Sequence, residues 1–199
     1  MRTSTLSAAA VIDRGAELAD EKGFATLTLA EVARSLKIQA PSLYTHVESL
    51  EALRDGIAIL ALRELSERIT EAIMGRSSTS ALAGFANAHR EYARLRPGCW
   101  ESLQRPQGEQ VARADAARRL VQATNAVLHG YGITAPADHV HATRIMGSAI
   151  NGFVHLERVG SFSYSEPEPD STWPELIDAL DTILRSWATG RAEPTGEIS

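Results

Sequence analysis

A single stretch near the N-terminus decides the fold. Residues 24–53 read FATLTLAEVARSLKIQAPSLYTHVESLEAL. Thr28 and Glu31 have the spacing of a capping box, in which the threonine hydroxyl accepts a hydrogen bond from the Glu31 amide and the glutamate carboxylate accepts one from the Thr28 amide. A helix is therefore predicted to begin at Thr28. Its apolar residues follow the i, i+3, i+4, i+7 spacing of one narrow buried face, and they are Leu29, Val32, Ala33 and Leu36.

A second short helix is predicted to follow after a tight turn. Pro41 fits the first turn of a helix, because the amide proton that proline lacks has no partner there. Leu43 and Val47 are four residues apart and point inward together. So small an apolar footing needs support from neighbouring helices, and it leaves a polar face free to enter a major groove, as the recognition helix of a helix-turn-helix does. The outward residues are Gln39, Ala40, Ser42, Thr45 and His46.

The same stretch resembles the TetR family of repressors. The family pattern is a helix ending in Gly, then Leu-Thr-x-x-x-(Val/Ile)-Ala-x-x-Leu, then Pro-x-Leu-Tyr-x-His-Val. The matching residues are Gly23, Leu27-Thr28, Val32-Ala33, Leu36 and Pro41-Ser42-Leu43-Tyr44-Thr45-His46-Val47. The resemblance implies a double-stranded DNA operator as partner, with Tyr44, His46 and Thr28 near phosphates and the other outward residues near base edges. The implied DNA-binding set is Thr28, Gln39, Ala40, Pro41, Ser42, Tyr44, Thr45 and His46.

Three positions depart from the family pattern. Lys37 stands where the family usually has glycine, and Gln39 where it has Ser, Thr or Glu, so we expect a slightly different turn. Leu50 occupies the position of a common phosphate-binding lysine, and acidic Glu48 comes shortly before it. Residues 1–50 carry five basic and six acidic side chains, and the whole chain has a net charge of −5. DNA binding is therefore predicted from geometry rather than charge, with a shallow salt dependence and a modest non-specific affinity.

Helical periodicity extends over almost the whole chain. The 199 residues are 44% hydrophobic, enough to bury a substantial core, and no stretch alternates apolar and polar residues long enough to indicate a sheet. The predicted fold is all-α. About nine helices are expected, near residues 7–22, 28–36, 41–47, 50–74, 80–96, 98–104, 108–131, 137–159 and 172–189. Residues 1–50 are predicted to form a helix-turn-helix DNA-binding domain, 51–189 an effector-binding and dimerisation domain, and 190–199 a flexible tail.

The C-terminal half resembles a recurring effector domain of TetR relatives. The resemblance rests on His89-Arg90-x-Tyr92-Ala93, on Arg96-Pro97-Gly98 and on residues 149–157, which read AINGFVHLE. It implies a helical domain that binds a small-molecule effector. A mainly apolar pocket with few polar groups would take a hydrophobic ligand. Its candidate lining is Phe85, His89, Tyr92, Trp100, Leu103, Met146 and Asn151.

The last two predicted helices are more apolar than one small domain needs. In the TetR family the last two helices pair with their twins as a four-helix bundle, so a homodimer is expected; the alternative is that the apolar stripes only fill a core. A two-fold dimer would place two recognition helices roughly 34–36 Å apart, to match a palindromic operator. The candidate interface residues are Ile145, Ala149, Gly152, Phe153, Leu176, Leu180, Ile183 and Trp187.

Several classes of site are not expected. Cys99 is the single cysteine, so an internal disulfide is excluded, and no neighbour in sequence would lower its pKa, which indicates an inert thiol. His139 and His141 are two residues apart and diverge on a helix, so neither a metal site nor a cofactor is predicted. The N-terminus lacks the apolar run of a signal peptide and no segment is long enough to span a bilayer, which favours a soluble cytoplasmic protein with no membrane partner.

The sequence therefore indicates a ligand-responsive transcriptional regulator, a repressor rather than an enzyme. Two alternatives stay open. An all-α enzyme is one, although no nucleophile elbow, glycine-rich phosphate loop or metal-ligand pair is found. A helical ligand-binding or interaction module that has lost DNA binding is the other, which the near-neutral first 50 residues and Leu50 favour.

Overall fold

The computed structural model describes residues 6–190, and within that range the chain contains helices and no strands. The all-α prediction is confirmed. The predicted flexible tail, apart from residue 190, lies outside the described residues. The helices are α1 (Ala8–Lys22), α2 (Leu29–Ser35), α3 (Ala40–Leu43), α4 (Leu50–Ile73), α5 (Ser78–Leu95), α6 (Pro97–Ser102), α7 (Glu109–Ala112), α8 (Asp115–His129), α9 (Pro136–Arg158) and α10 (Pro169–Gly190).

The helix predicted at 108–131 is two helices, α7 and α8. Helix α7 ends at Ala112, and the carbonyl of the next residue, Arg113, accepts a hydrogen bond of 3.1 Å from Arg118 Nη1. Asp115 then occupies the first turn of α8, where a negative charge interacts favourably with the unpaired amides of a helix start. Helix α7 has only four residues, too few for an apolar period, so periodicity did not reveal the break.

The chain divides into two compact units. The first contains the described residues up to Glu67 together with Glu91–Leu120, and the second contains Arg68–Arg90 and the described residues from Val121 onward. Helices α4, α5 and α8 therefore contribute residues to both units. The functional division at residue 50 is a different kind of boundary and stays a prediction.

In the first unit, α1 and α6 approach each other closely. A methyl group on Gly98 would collide with the backbone of Ala19, so only glycine permits this approach. The Asp20 carboxylate accepts hydrogen bonds from the amides of Gly98 and Cys99, at 2.8 and 3.0 Å, and from Arg96 Nε at 2.5 Å. One carboxylate on α1 therefore fixes the start of α6.

The Cys99 thiol lies within this buried junction. Burial above all, together with the nearby Asp20 carboxylate, raises the pKa of the Cys99 thiol to about 12. The thiolate is the reactive form of cysteine, so a thiol that stays protonated at neutral pH is inert. This agrees with the expectation of an unreactive Cys99.

In the second unit, two clusters of charged and polar side chains connect distant segments. Arg90 is 7% exposed and lies over the Trp173 ring, 4.9 Å from its centroid. It donates to Glu157 Oε2 at 3.0 Å and to Asp170 Oδ1 at 2.6 Å. These contacts join α5 to α9 and to the start of α10.

The other cluster is centred on Asp181 of α10. Its Oδ1 accepts hydrogen bonds of 2.6 Å from both Thr79 Oγ1 and Tyr131 Oη, and its Oδ2 accepts one of 2.7 Å from Arg185 Nε. Burial alone would raise the pKa of Asp181, but the hydrogen bonds from Arg185, Thr79 and Tyr131 outweigh it and lower the pKa. The carboxylate is therefore a stable anion that holds three parts of the unit together.

Candidate functional site

Helix α2 begins where the capping box predicted it. Thr28 Oγ1 accepts from the Glu31 amide at 3.3 Å, as expected. The second predicted hydrogen bond, from the Thr28 amide to the Glu31 carboxylate, is replaced by two others. The carboxylate accepts from the Thr28 hydroxyl at 3.2 Å and from Lys22 Nζ at 3.2 Å. These two hydrogen bonds lower the pKa of Glu31. The Thr28 side chain stays exposed at the end of the helix.

The turn after α2 has a conformation that glycine favours. Ile38 N donates to Ala33 O at 3.0 Å and Lys37 N donates to Arg34 O at 3.1 Å, the two hydrogen bonds of a Schellman motif. Lys37 has a φ of +57°, in the left-handed region. The lysine thus adopts a backbone conformation that is ordinary for the glycine usually found at this position in the pattern given above.

Helix α3 is shorter than the predicted 41–47. It ends at Leu43, because the following residues tighten into a turn in which His46 N donates to Leu43 O at 2.9 Å. Leu43 is fully buried and Val47 nearly so, as the spacing predicted. Tyr44, by contrast, is 55% exposed.

Residues Gln39–Ser42 and Tyr44–His46 form what we call the α3 surface. All of their side chains are exposed except that of His46, which is half-buried. The predicted DNA-binding residues are thus presented outward, on α3 and the turn after it, with Thr28 exposed at the start of α2. At the start of α4, Leu50 is half-buried, and Ser49 caps the helix by accepting from the Ala52 amide at 3.0 Å.

Known proteins match both halves of the chain. The family model "Bacterial regulatory proteins, tetR family" matches residues 11–57, and "Tetracyclin repressor-like, C-terminal domain" matches residues 82–180. An uncharacterized HTH-type transcriptional regulator of Mycobacterium tuberculosis is 32% identical over 178 residues, covering 88% of this chain and 80% of the relative. The chain belongs to the TetR family of transcriptional regulators. Members of this family are not enzymes.

The chain is also similar to a further curated regulator and to solved structures. An uncharacterized HTH-type transcriptional regulator of Bacillus subtilis is 24% identical over 180 residues, covering 90% of each chain. Among solved structures, a TetR variant from Acinetobacter baumannii AYE in complex with minocycline aligns with a TM-score of 0.66 and 24% identity, over 95% of this chain and 100% of the other. A Rhodococcus sp. RHA1 protein aligns with a TM-score of 0.70 and 16% identity, over 94% and 97%.

Four of the predicted effector-pocket residues lie in the second unit. His89 is buried beside Phe85, with ring centroids 4.6 Å apart, and its Nδ1 lies 3.1 Å from Phe85 O. Burial lowers the pKa of His89 to about 4, so the ring is neutral at physiological pH. Met146 is buried, and Asn151 Nδ2 donates to Gly147 O of its own helix at 2.9 Å.

The other three predicted effector residues lie in the first unit. Tyr92 is fully buried and its hydroxyl donates to Glu64 Oε2 at 2.9 Å; burial raises the pKa of Tyr92. Trp100 is buried and Leu103 half-buried. All seven candidates therefore have places in or at the edge of a core, and their contact with an effector stays a prediction.

The second unit contains a cleft that the sequence did not predict. It has a volume of about 560 Å³ and is lined by Val121, Asn125, Thr134, Pro136, His139, Val140, Thr143 and Arg144. None of these was among the predicted effector residues. The available signal was the exposure of apolar Val121 and Val140 on the outer faces of α8 and α9. A smaller cavity of about 230 Å³ is lined by Phe153, Phe162, Ser165, Glu166, Pro167, Pro169 and Thr172.

His139 and His141 of α9 diverge as expected. His139 Nε2 lies 2.6 Å from Ile133 O and its Nδ1 lies 3.0 Å from Asn125 Oδ1, while His141 stacks on Trp187. In the portion of the chain that is described, no group of three or more potential metal ligands occurs. Within the same portion, no helix is both long and apolar enough to cross a membrane.

The predicted dimer residues divide between surface and core. Leu180 is 2% exposed and belongs to the interior of its own unit, so its contact with a second copy of the chain stays a prediction. Its position on the wide apolar stripe of α10 did not show which edge of the stripe faces outward. Ile145, Gly152 and Ile183 are exposed, and those that are half-buried are Ala149, Phe153, Leu176 and Trp187.

Proposed function

We propose that this TetR-family chain is a ligand-responsive transcriptional repressor of the cytoplasm. It binds a palindromic operator as a homodimer and is released by a small hydrophobic effector. The observation that carries the proposal is the α3 surface. A helix of one turn is held by buried Leu43 and Val47, and it presents hydrogen-bonding side chains to solvent.

The chemistry of the α3 surface suits duplex DNA. The Gln39 amide and the Ser42 and Thr45 hydroxyls can donate to and accept from base edges in a major groove. Tyr44 and His46 can donate to phosphate oxygens, which fix the register of a protein on DNA. Glu31 would repel a phosphate near Thr28, but its charge is balanced by Lys22 at 3.2 Å.

Apolar side chains exposed on α9 and α10 support the homodimer. Ile145 and Ile183 are 40% and 39% exposed, and Leu156 continues the α9 face at 42%. Ala149 and Gly152 lie between Ile145 and Leu156 at helical spacing, and such small residues permit a partner helix to approach closely. A second copy of the chain would remove this face from water and place two α3 surfaces roughly 34–36 Å apart.

Two observations support an effector. The C-terminal half matches a tetracycline-repressor-like domain, and the Acinetobacter baumannii variant of similar fold was solved with minocycline. The residues proposed to line the pocket are mainly apolar or aromatic, and neutral His89 adds no charge. We propose that the effector biases the tilt of α4 and so changes the spacing of the two α3 surfaces, which lowers DNA affinity.

DNA binding is tested with the duplex upstream of the chain's own gene and a random duplex of equal length. We expect the wild-type chain to prefer the first in fluorescence anisotropy. Tyr44→Ala should weaken binding about 10-fold or more, since a hydrogen bond to a charged group contributes about 1.5–3 kcal/mol. Tyr164→Ala is the matched control, because Tyr164 is fully exposed outside the α3 surface. If the wild-type chain binds neither duplex, the result would support the alternative that the chain is a ligand-binding or interaction module that has lost DNA binding.

The dimer is tested by sedimentation at micromolar concentration. Ile145→Glu should yield monomers and lose operator affinity, because it places a charge in the proposed interface. Leu95→Glu is the control, since Leu95 is an exposed apolar residue of α5. A wild-type chain that sediments as a monomer would contradict the homodimer. The apolar stripes of the last two helices would then serve only to fill the core.

A further inference from the structure

Lys37 occupies a backbone position that glycine occupies at the ends of α8 and α9. Helices α2, α8 and α9 end in the same hydrogen-bond pattern, with donation from Ile38 N to Ala33 O, from Ile133 N to Leu128 O and from Ser161 N to Leu156 O. The left-handed residue is Gly132 after α8, at φ +78°, and Gly160 after α9, at φ +76°. After α2 it is Lys37, at φ +57°. Left-handed backbone is unfavourable for a residue with a Cβ atom, so Lys37 adopts a conformation that its side chain disfavours.

The ammonium group of Lys37 is also unengaged. Arg14 pairs with Glu17 and Glu21, and Lys22 pairs with Glu31. Lys37 is exposed, and over residues 6–190 its side chain makes no hydrogen bond or ion pair. Its charge is therefore available to a partner outside the chain.

The position of Lys37 is next to the α3 surface. Gln39, two residues later, stands at the N-cap position of α3. The α3 surface itself contains no lysine or arginine, and Leu50 brings no charge to the start of α4. A flexible lysine beside the recognition helix supplies the point charge that this surface lacks.

We propose that Lys37 is a DNA-binding residue that contacts a backbone phosphate beside the groove entered by α3. The inference rests on the proposed function. Backbone strain is retained where function requires it, and a strained, unengaged lysine on a binding face fits that rule. A phosphate contact is independent of base sequence, so Lys37 contributes equally to operator and random duplex.

Three substitutions separate charge from strain. Lys37→Gly removes both, Lys37→Gln removes the charge and keeps the side chain, and Lys37→Arg keeps the charge. Kd is measured with the two duplexes named above between 50 and 300 mM NaCl, and Tm is measured without DNA. Arg119→Gln is the matched control, because it removes one exposed positive charge from α8.

We expect Lys37→Gly and Lys37→Gln to weaken binding to both duplexes by the same factor. Each phosphate contact contributes about 0.9 to the log–log salt slope, so the slope should fall by about 1.8 for a complex of two subunits. At 0.15 M salt this corresponds to about a 30-fold higher Kd. Lys37→Gly should at the same time raise Tm by about 2–4 °C, since relief of left-handed strain stabilises the turn. Lys37→Arg should resemble the wild type in both measurements.

Several outcomes would overturn the inference. An unchanged salt slope in Lys37→Gly and Lys37→Gln would show that no phosphate contact is lost. A loss confined to Lys37→Gly would assign the effect to turn flexibility, and an equal loss in Arg119→Gln would assign it to net charge. A wild-type chain that binds neither duplex would refute the proposed function first, which distinguishes that failure from the failure of Lys37 alone.

Discussion

The α3 surface and the charged clusters of the second unit use polar side chains in opposite ways. On the α3 surface, polar residues are neighbours in sequence, face water and have little to do with stability. In the second unit, Arg90 meets Glu157 across 67 residues and Thr79 meets Asp181 across 102, and both contacts are partly buried. A polar group that already faces water can be exchanged at small cost, whereas a buried charge that loses its partner is left without solvation.

The largest effect should come from breaking the cluster around Arg90. Arg90→Met is expected to lower the free energy of unfolding by about 3–5 kcal/mol, because it removes the buried guanidinium that pairs with the half-buried Glu157 carboxylate. Denaturant unfolding followed by circular dichroism measures this. Asp170→Asn is the control, since the Asp170 side chain is 75% exposed and its loss should change stability by about 0–1 kcal/mol. Equal stability of Arg90→Met and the wild type would show that the ion pair between Arg90 and Glu157 does not stabilise the fold.

The next effect separates the two sides of α3. Leu43→Ala should lower the free energy of unfolding by about 3–4 kcal/mol, because it opens a cavity beneath a helix with little other apolar contact. Tyr44→Ala, one residue later, should change it by less than about 0.5 kcal/mol. Urea titrations of both variants give the comparison. If Tyr44→Ala destabilises as much as Leu43→Ala, the α3 surface contributes to stability and does not differ from the clusters of the second unit in this respect.

A third effect depends on pH. His89 has a pKa of about 4 in the fold because burial disfavours its charged form, and about 6.5 when unfolded. The unfolded chain therefore binds a proton between these values that the folded chain does not. Neutral His89 therefore makes its whole contribution to the free energy of unfolding above pH 6.5, and this contribution falls by about 3 kcal/mol as the pH drops to 4. Between pH 7 and pH 4 the urea midpoint should fall less in His89→Gln than in the wild type. An identical fall in both would mean that His89 is accessible to water in the folded chain.

The smallest effect concerns the helix ends. Gly132→Ala should lower the free energy of unfolding by about 1 kcal/mol, because alanine tolerates left-handed backbone poorly. No described atom lies within 4 Å of the added Cβ, so strain is the single source of the loss. Thermal unfolding of Gly132→Ala beside Lys37→Gly should give shifts of opposite sign. Shifts of the same sign would mean that the two turns do not share one conformation.

Local features of the fold could be predicted and long-range pairings could not. The capping threonine, Pro41 and the spacing of Leu43 and Val47 act within one or two turns of helix, so residues near one another in sequence contain the necessary information. The partner of Arg90 is 67 residues away, and nothing in the sequence around either residue selects the other. The same limit applies to Asp20 and Gly98, whose contact depends on how two helices cross.

The candidate site shows the same limit. The outward direction of Tyr44 follows from its place beside Leu43, and the structure agrees with it. The burial of Leu180 depends instead on how far α10 is rotated against its neighbours, and the apolar stripe was too wide to define that rotation. The cleft lined by Val121 and Val140 is formed by two helices whose crossing no local pattern contains.

The crossing of α1 and α6 at Gly98 has a mechanical consequence. Where side chains separate two helices, they can change rotamer and take up a displacement of a few tenths of an ångström. At Gly98 two main chains meet without side chains between them, and Asp20 ties them by hydrogen bonds to the amides of α6. A shift of α6 toward α1 therefore cannot be absorbed at this point, and α1 has to move with it.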